Sequence, residues 1–278
     1  MTRTSHSRGR GAALAILLAC FFPVGKAVCA PFAMIHFYST ETSINNFGLL
    51  KSEYDRYLAQ RGDIRFQPFK HREDFEKVLT GDNPGLCLLS SWHFQNLPLA
   101  HDFVPVLVGT VGSESIQTHG LWARTDKSSV ADLKGAVIAT SRTREYTQSL
   151  LQTMVGEGDR ECIKSFRLLV VPKDLDALLA VSLGVADASL AADTAVARLR
   201  AIHPRQTSLL KPLCRSAPSL LPLLLVRKDD VAKYEQVIAL LRNMAGDAEG
   251  RLLLNLLGLD AFALIPGEPP PIAEGASP

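Results

Sequence analysis

The chain has 278 residues, of which 47% are hydrophobic and 21% charged, with 19 Gly and 16 Pro. That composition excludes wholesale disorder, a collagen-like repeat and a multi-span membrane protein, and the length is enough for one large domain or two lobes with separate cores. Formal charge is +2, but Arg3, Arg8, Arg10 and Lys26 stand without an acid in the first 30 residues, so the remainder is net negative; a nucleic-acid reader normally carries a basic surplus in its folded part.

Residues 1–30 read as a secretory signal. A basic start leads into the apolar run Ala12 to Val24, followed by the small residues Val28-Cys29-Ala30. The run is shorter than the roughly 20 apolar residues that span a bilayer. Cleavage is expected after Ala30 or Ala27, and Leu17-Leu18-Ala19-Cys20 leaves lipid anchoring at Cys20 open. The mature chain is thus expected in the periplasm.

Met34-Ile35-His36-Phe37-Tyr38 favours a strand, ended by Ser39-Thr40-Glu41-Thr42-Ser43. Ile44, Phe47, Leu50, Tyr54 and Leu58 recur at helical spacing, and Arg61-Gly62-Asp63 turns the chain into a strand from Ile64 to Phe69. A short helix carries Phe75, Val78 and Leu79; Gly81-Asp82-Asn83-Pro84-Gly85 breaks it, and strands follow at Leu86 to Leu89 and Phe103 to Val108. The second half repeats the rhythm: a strand from Ala136 to Ala139, a helix with Tyr146, Leu150, Leu151 and Met154, and a strand from Phe166 to Val171. A helix with Leu175, Leu178, Leu179 and Leu183 comes next, then a strand from Asp187 to Leu190 and a helix through Leu199. Leu220 to Val226 reads as one buried strand, and the tail from Pro266 as extended and poorly ordered. Strands alternating with helices predict an α/β protein with mainly parallel sheets.

The glycine-rich phosphate loops, Gly-x-Ser-x-Gly, His-Glu-x-x-His and Cys-x-x-Cys are all missing, so the sequence offers no enzyme or cofactor signature. His36, His93, His101 and His119 fall in the first half without a ligand spacing, and no metal is expected. Beyond the leader remain Cys87, a buried-type residue, and Cys162 and Cys214, whose pairing stays open.

Polar stretches follow three strands: Ser39-Thr40, Ser90-Ser91-Trp92 and Thr140-Ser141-Arg142-Thr143. Each precedes a helix, where hydroxyls and free N–H groups either cap the helix or bind an anion, and ligands of parallel sheets sit beyond the carboxyl ends of the strands.

Several segments in order resemble the phosphate/phosphite/phosphonate-binding branch of periplasmic solute-binding proteins, the receptors of ABC importers. Val130-Ala131-Asp132-Leu133-Lys134-Gly135 resembles the family's opening of the second lobe, and Gly184-Val185-Ala186-Asp187-Ala188 its later strand. Leu225-Val226-Arg227-Lys228-Asp229 resembles the return strand, and Glu249-Gly250-Arg251 through Leu257-Gly258-Leu259-Asp260-Ala261-Phe262 the closing helix. The resemblance spans roughly residues 33–265. It implies a type 2 periplasmic binding protein: two α/β lobes, each a mainly parallel sheet flanked by helices, joined by two crossing strands. These would be Gln117 to Thr125 and Leu220 to Val226. Lobe 1 would comprise 31–118 and 226–265, lobe 2 119–225, with 266–278 a disordered tail. The chain departs from the family in the second-lobe loop, where Arg142 stands in a stretch without glycine, and after the strand at 187, where Asp193 follows Ala191-Ala192.

The implied function is capture of a small anionic, phosphonate-like solute for an ABC transporter permease, by a monomer without catalysis. A periplasmic sensor module handing ligand state to a membrane partner is the alternative, and an enzyme on the same scaffold a further one. Ser39, Thr40, Ser90, Ser91 and Trp92 would line the first-lobe wall, and Ser141, Arg142, Thr143 and Tyr146 the second. Arg142 would grip the oxyanion, and Asp193 would meet an amine.

Overall fold

The computed structural model describes residues 32–40 and 46–265. The expected leader at 1–30, the loop residues Glu41, Thr42 and Ser43 with Ile44, and the tail at 266–278 lie outside the described residues.

The chain runs β1 (Ala33–Phe37), α1 (Phe47–Ala59), β2 (Ile64–Pro68), α2 (Arg72–Leu79), β3 (Leu86–Leu89), α3 (Ser91–Gln95), β4 (Phe103–Thr110), β5 (Ile116–Gln117) and β6 (His119–Arg124). It continues with β7 (Val137–Thr140), α4 (Arg144–Met154), α5 (Arg160–Lys164), β8 (Arg167–Val170), α6 (Asp174–Ser182), β9 (Ala188–Ala192), α7 (Asp193–Ile202) and α8 (Pro204–Thr207). The remainder is β10 (Leu210–Arg215), β11 (Ser219–Leu220), β12 (Leu223–Arg227), α9 (Glu235–Arg242), α10 (Ala248–Leu256) and β13 (Ala261–Ala263).

Six strands form the first sheet in the order β13-β4-β12-β3-β1-β2, and five the second in the order β10-β6-β9-β7-β8. In the first sheet β1 pairs in parallel with β2 and β3, and β12 returns antiparallel between β3 and β4. In the second, β7 is parallel to β8 and β9, and β6 runs antiparallel between β9 and β10. Most strands of each sheet therefore point one way, and this is the two-lobed type 2 arrangement.

The lobes are connected twice, through β5 between β4 and β6 and through β11 between β10 and β12. The two connections pair with each other, Ser219 opposite Gln117 and Leu220 opposite Ile116. This shortens the expected crossings. His119–Arg124 belongs to the second sheet and Leu223–Arg227 to the first, so the lobe boundary expected after 225 falls inside β12. The physical reason is Pro222. It lacks an N–H for a ladder, and its carbonyl instead accepts from Gly109 N–H at 2.8 Å. The apolar run is thus cut into a hinge strand and a core strand.

Each sheet is packed on both faces. On the first, Leu50, Tyr54, Tyr57 and Leu58 of α1 join Leu253 and Leu254 of α10 over one face, while Phe75, Leu79 and Cys87 pack on the other. The second sheet carries Leu151 and Ile163 on one face and Leu178, Val181, Val196 and Leu199 on the other. Leu183, expected on the apolar face of its helix, lies just past the end of α6 and is 69% exposed. Cys162 and Cys214 are free; the Cys162 thiol donates to the Val130 carbonyl at 3.2 Å instead. No helix among the described residues is long and apolar enough to cross a membrane.

Candidate ligand cleft

The segments that follow β1 and β3 in lobe 1 and β7 in lobe 2 meet where the lobes join. In lobe 1, Tyr38 follows β1 and packs against Phe75 (5.8 Å) and His93 (5.4 Å). Ser39 is half-buried and Thr40 buried, with Thr40 Oγ1 hydrogen-bonded to Ser90 Oγ at 2.7 Å. Ser90 also caps α3 by accepting from His93 N–H, and Ser91 Oγ donates to the Leu220 carbonyl of the hinge strand at 2.6 Å. The hydroxyls of Ser90 and Ser91 thus hold the wall rather than face a solute. Trp92 points across to lobe 2.

In lobe 2 the loop after β7 is organised by Asp174, the first residue of α6. Its Oδ1 accepts from Ser141 Oγ and Arg142 Nη1, both at 2.6 Å; its Oδ2 accepts from Arg142 Nη2 at 2.9 Å and Ala192 N–H at 2.7 Å. Burial alone would raise this carboxyl, but the Arg142 cation and the N–H and hydroxyl donors outweigh it and hold it below the usual carboxylate range. Arg142, 3% exposed, also donates to the Leu190 carbonyl. Its Nη1 and Nη2 edge thus rests on a buried carboxylate, and Arg142 is not among the residues that wall the cavity described next. Ser141 is taken into the same knot. Asp193 is ion-paired with Arg215, with its N–H on the Thr118 carbonyl, and stands outside the cavity described next.

The lobes touch directly. Thr143 N–H donates to the Thr40 carbonyl at 3.0 Å, while Thr143 Oγ1 caps α4. The Trp92 and Tyr146 rings lie 5.0 Å apart, and Trp92 Nε1 donates to Ser149 Oγ at 3.0 Å. Beside these contacts opens a cavity of about 460 Å³. Its walls are Tyr38, Thr40 and Trp92 of lobe 1, Thr143 and Glu145 of lobe 2, and His71, Arg72, Glu73 and Asp74 at the start of α2. Of the expected site residues the structure thus brings Thr40, Trp92 and Thr143 to this cavity, with Tyr146 behind Trp92.

Arg72 carries the cavity's guanidinium. Its Nε donates to Glu76 at 2.7 Å, and Glu76 also pairs with His93 Nε2 at 2.8 Å. Burial lowers the His93 imidazole and Glu76 partly restores it; burial would raise the Glu76 carboxyl, but Arg72 and His93 hold it below its usual range. Against Arg72 stand the carboxylates of Glu73, Asp74 and Glu145. Burial, then Glu145, raises the Tyr38 hydroxyl, so it remains a neutral donor.

The sequence reading missed Asp174, Arg72, Glu76 and Ser149. Asp174 had a signal, since it follows the carboxyl end of β8 just as the chosen loops follow theirs. The α2 residues had none, because a charged first helical turn is ordinary capping chemistry. Among the described residues no group of three or more His, Cys, Asp or Glu is placed to hold a metal ion.

No protein-family model and no curated protein sequence matches the chain. Solved structures do. The binding-protein component of an ABC phosphonate transporter from Pseudomonas aeruginosa superposes with a TM-score of 0.58 at 14% identity, over 84% of this chain and 82% of that one. XAC2383 from Xanthomonas citri, bound to chloride, gives 0.59 at 16% identity, over 84% and 92%. PhnD1 from Prochlorococcus marinus, in complex with methylphosphonate, gives 0.56 at 10% identity, over 84% and 92%. The fold is that of the two-lobed binding proteins.

Proposed function

We propose that the chain is a periplasmic solute-binding protein that closes its two lobes over a small oxyanion-bearing solute and hands it to the permease of an ABC importer. The observation that carries this reading is a cavity shared between two hinged lobes, with its walls already in contact through Thr40 and Thr143. The Thr40 and Thr143 side chains, the Tyr38 hydroxyl, the first turn of α4 and the Arg72 guanidinium supply donors for an anionic group. Trp92 supplies a flat wall for an organic portion. Glu73, Asp74 and Glu145 favour a solute that carries a cationic group as well, because like carboxylates facing one another across a closing cleft need a counter-charge. Two of the similar structures are in complex with methylphosphonate and with chloride, which agrees with an anionic solute. Capture needs no covalent step, and one copy of the chain completes the cleft.

Native mass spectrometry of the protein isolated from its own cells, followed by calorimetric titration with methylphosphonate, inorganic phosphate and 2-aminoethylphosphonate, tests the reading. A co-purifying small anion and saturable binding of one of these probes support it. Protein that carries nothing and binds none of them removes the oxyanion assignment, and chemical turnover of a bound compound would make the chain an enzyme.

A further inference from the structure

His119 opens β6 and lies opposite Ala192 at the cleft edge of the second sheet, two positions beyond Gln117 of the hinge ladder. Its main chain is fixed: the N–H donates to Ser216 Oγ at 3.0 Å, and the carbonyl accepts from Ser216 N–H at 2.8 Å. The imidazole is fully buried, and neither ring nitrogen has a hydrogen-bond partner among the described residues. A neutral imidazole carries one donor and one acceptor, and folded proteins seldom bury such groups unpaired.

The ring meets Tyr146 edge-on at 6.3 Å and 87°, and Tyr146 is met in turn by Trp92 of the other lobe at 5.0 Å. The three rings run in file from lobe 1 to the hinge. Separating the lobes would take Trp92 off Tyr146, the ring that lies against His119.

The charged and titratable groups around His119 come from every neighbouring element. The Tyr146 hydroxyl is on α4, Arg142 on the loop before it, and Asp174 at the start of α6. Asp193 is at the start of α7, beside the partner strand β9, and Arg215 is on β10. Asp174 is held by Ser141, Arg142 and Ala192, and Asp193 pairs with Arg215 through Oδ2, while its Oδ1 is buried without a hydrogen-bond partner among the described residues. Each carboxylate is already matched in charge by an arginine, so a proton on His119 would add a second cation beside Arg142 without an added anion.

We propose that His119 is a proton-operated latch on the cleft: the closed arrangement admits only the neutral imidazole, so protonation there opens the lobes. This rests on the hinged-capture reading above and adds its regulation. The electrostatics agree, since burial and then the Arg142 cation push the closed-state imidazole down to about 3 from its ordinary 6.5. The sign is fixed by linkage. A wetted ring in the open state takes a proton near its ordinary value, so acid favours opening. The closed-to-open ratio is constant above about pH 7, then falls about tenfold per pH unit, to about a hundredth at pH 4.5. Solute would be held at neutral pH and released in acid.

The test is small-angle scattering on the solute-free full chain between pH 7.5 and 4.5, with circular dichroism to confirm folding. Wild type is expected to expand reversibly in acid, His119→Gln and His119→Asn to stay compact, and His36→Gln, altered at a buried imidazole of β1 that is not part of the cavity wall, to expand as wild type does. Equal expansion in wild type and both His119 variants overturns the latch. So does a wild type that stays compact while its unfolding temperature falls in acid, which would make His119 a buried imidazole and nothing more. Solute titration at pH 7.5 is a separate arm: its failure removes the capture reading and leaves the acid expansion readable.

Discussion

Arg142 and Asp174 form a two-pronged ion pair inside lobe 2, Nη1 to Oδ1 at 2.6 Å and Nη2 to Oδ2 at 2.9 Å, with 3% and 14% of the side chains exposed. Together with Ser141 and the Ala192 N–H, the pair ties the ends of β7 and β9 and the start of α6 into one unit. Thr143, which reaches the Thr40 carbonyl of lobe 1, follows Arg142 directly in the chain.

Asp174→Ala should cost about 3–5 kcal/mol in urea unfolding, because it strands a buried guanidinium. Arg142→Met combined with Asp174→Leu should recover much of that loss, since desolvating both charges is itself costly. Arg144→Ala, at an exposed neighbour, should change stability by less than about 0.5 kcal/mol. A loss for Asp174→Ala no larger than for Arg144→Ala would show that the pair is not structural.

The pair also fixes a pH dependence. The Asp174 carboxyl is held below its usual range in the folded chain, so its contribution is present above the unfolded value of about 3.9 and lost as the pH falls below it. Wild-type stability should therefore drop more steeply than that of the Arg142→Met, Asp174→Leu double variant between about pH 4 and 2. Parallel profiles would rule this out.

Trp92 fastens the lobes through Tyr146 and Ser149. Trp92→Ala should enlarge the radius of gyration of the solute-free protein at neutral pH. Ser149→Ala, which removes one hydrogen bond, should weaken closure by about 1 kcal/mol. Scattering profiles identical to wild type in both variants would mean that other contacts hold the cleft shut.

Glu76 joins Arg72 of the cavity wall to the buried His93. Glu76→Ala leaves the imidazole without its partner and should cost about 1–3 kcal/mol, less than Asp174→Ala because Glu76 is partly wet. A thermal or urea midpoint unchanged from wild type would show the link to be incidental.

Gly85 closes the turn before β3 with φ of +66°, and a β-carbon there would meet the Met34 carbonyl oxygen at 2.3 Å. Gly85→Ala should therefore destabilise by more than about 2 kcal/mol, read as a shift in urea midpoint. A shift within about 0.5 kcal/mol would show that the turn relaxes freely.

The sequence by itself determined the alternation of strands and helices, because apolar spacing and breakers such as Gly81-Asp82-Asn83-Pro84-Gly85 act over a few residues. Leu86–Leu89 forms a strand over its expected span, and α1 buries Leu50, Tyr54 and Leu58 as the helical spacing requires. It also marked the strand-end loops that meet at the cleft. Only the tertiary structure decided what those loops do. Arg142 looked like an anion's partner because its local sequence is polar and glycine-free; the residue that claims it, Asp174, lies 32 positions away. The same holds for Ser91, whose hydroxyl is taken by Leu220 across 129 positions, and for His119, whose lack of a partner is visible only once the surrounding side chains are in place. Secondary structure is written in neighbours along the chain, but the use of a polar side chain is settled by which distant group reaches it first.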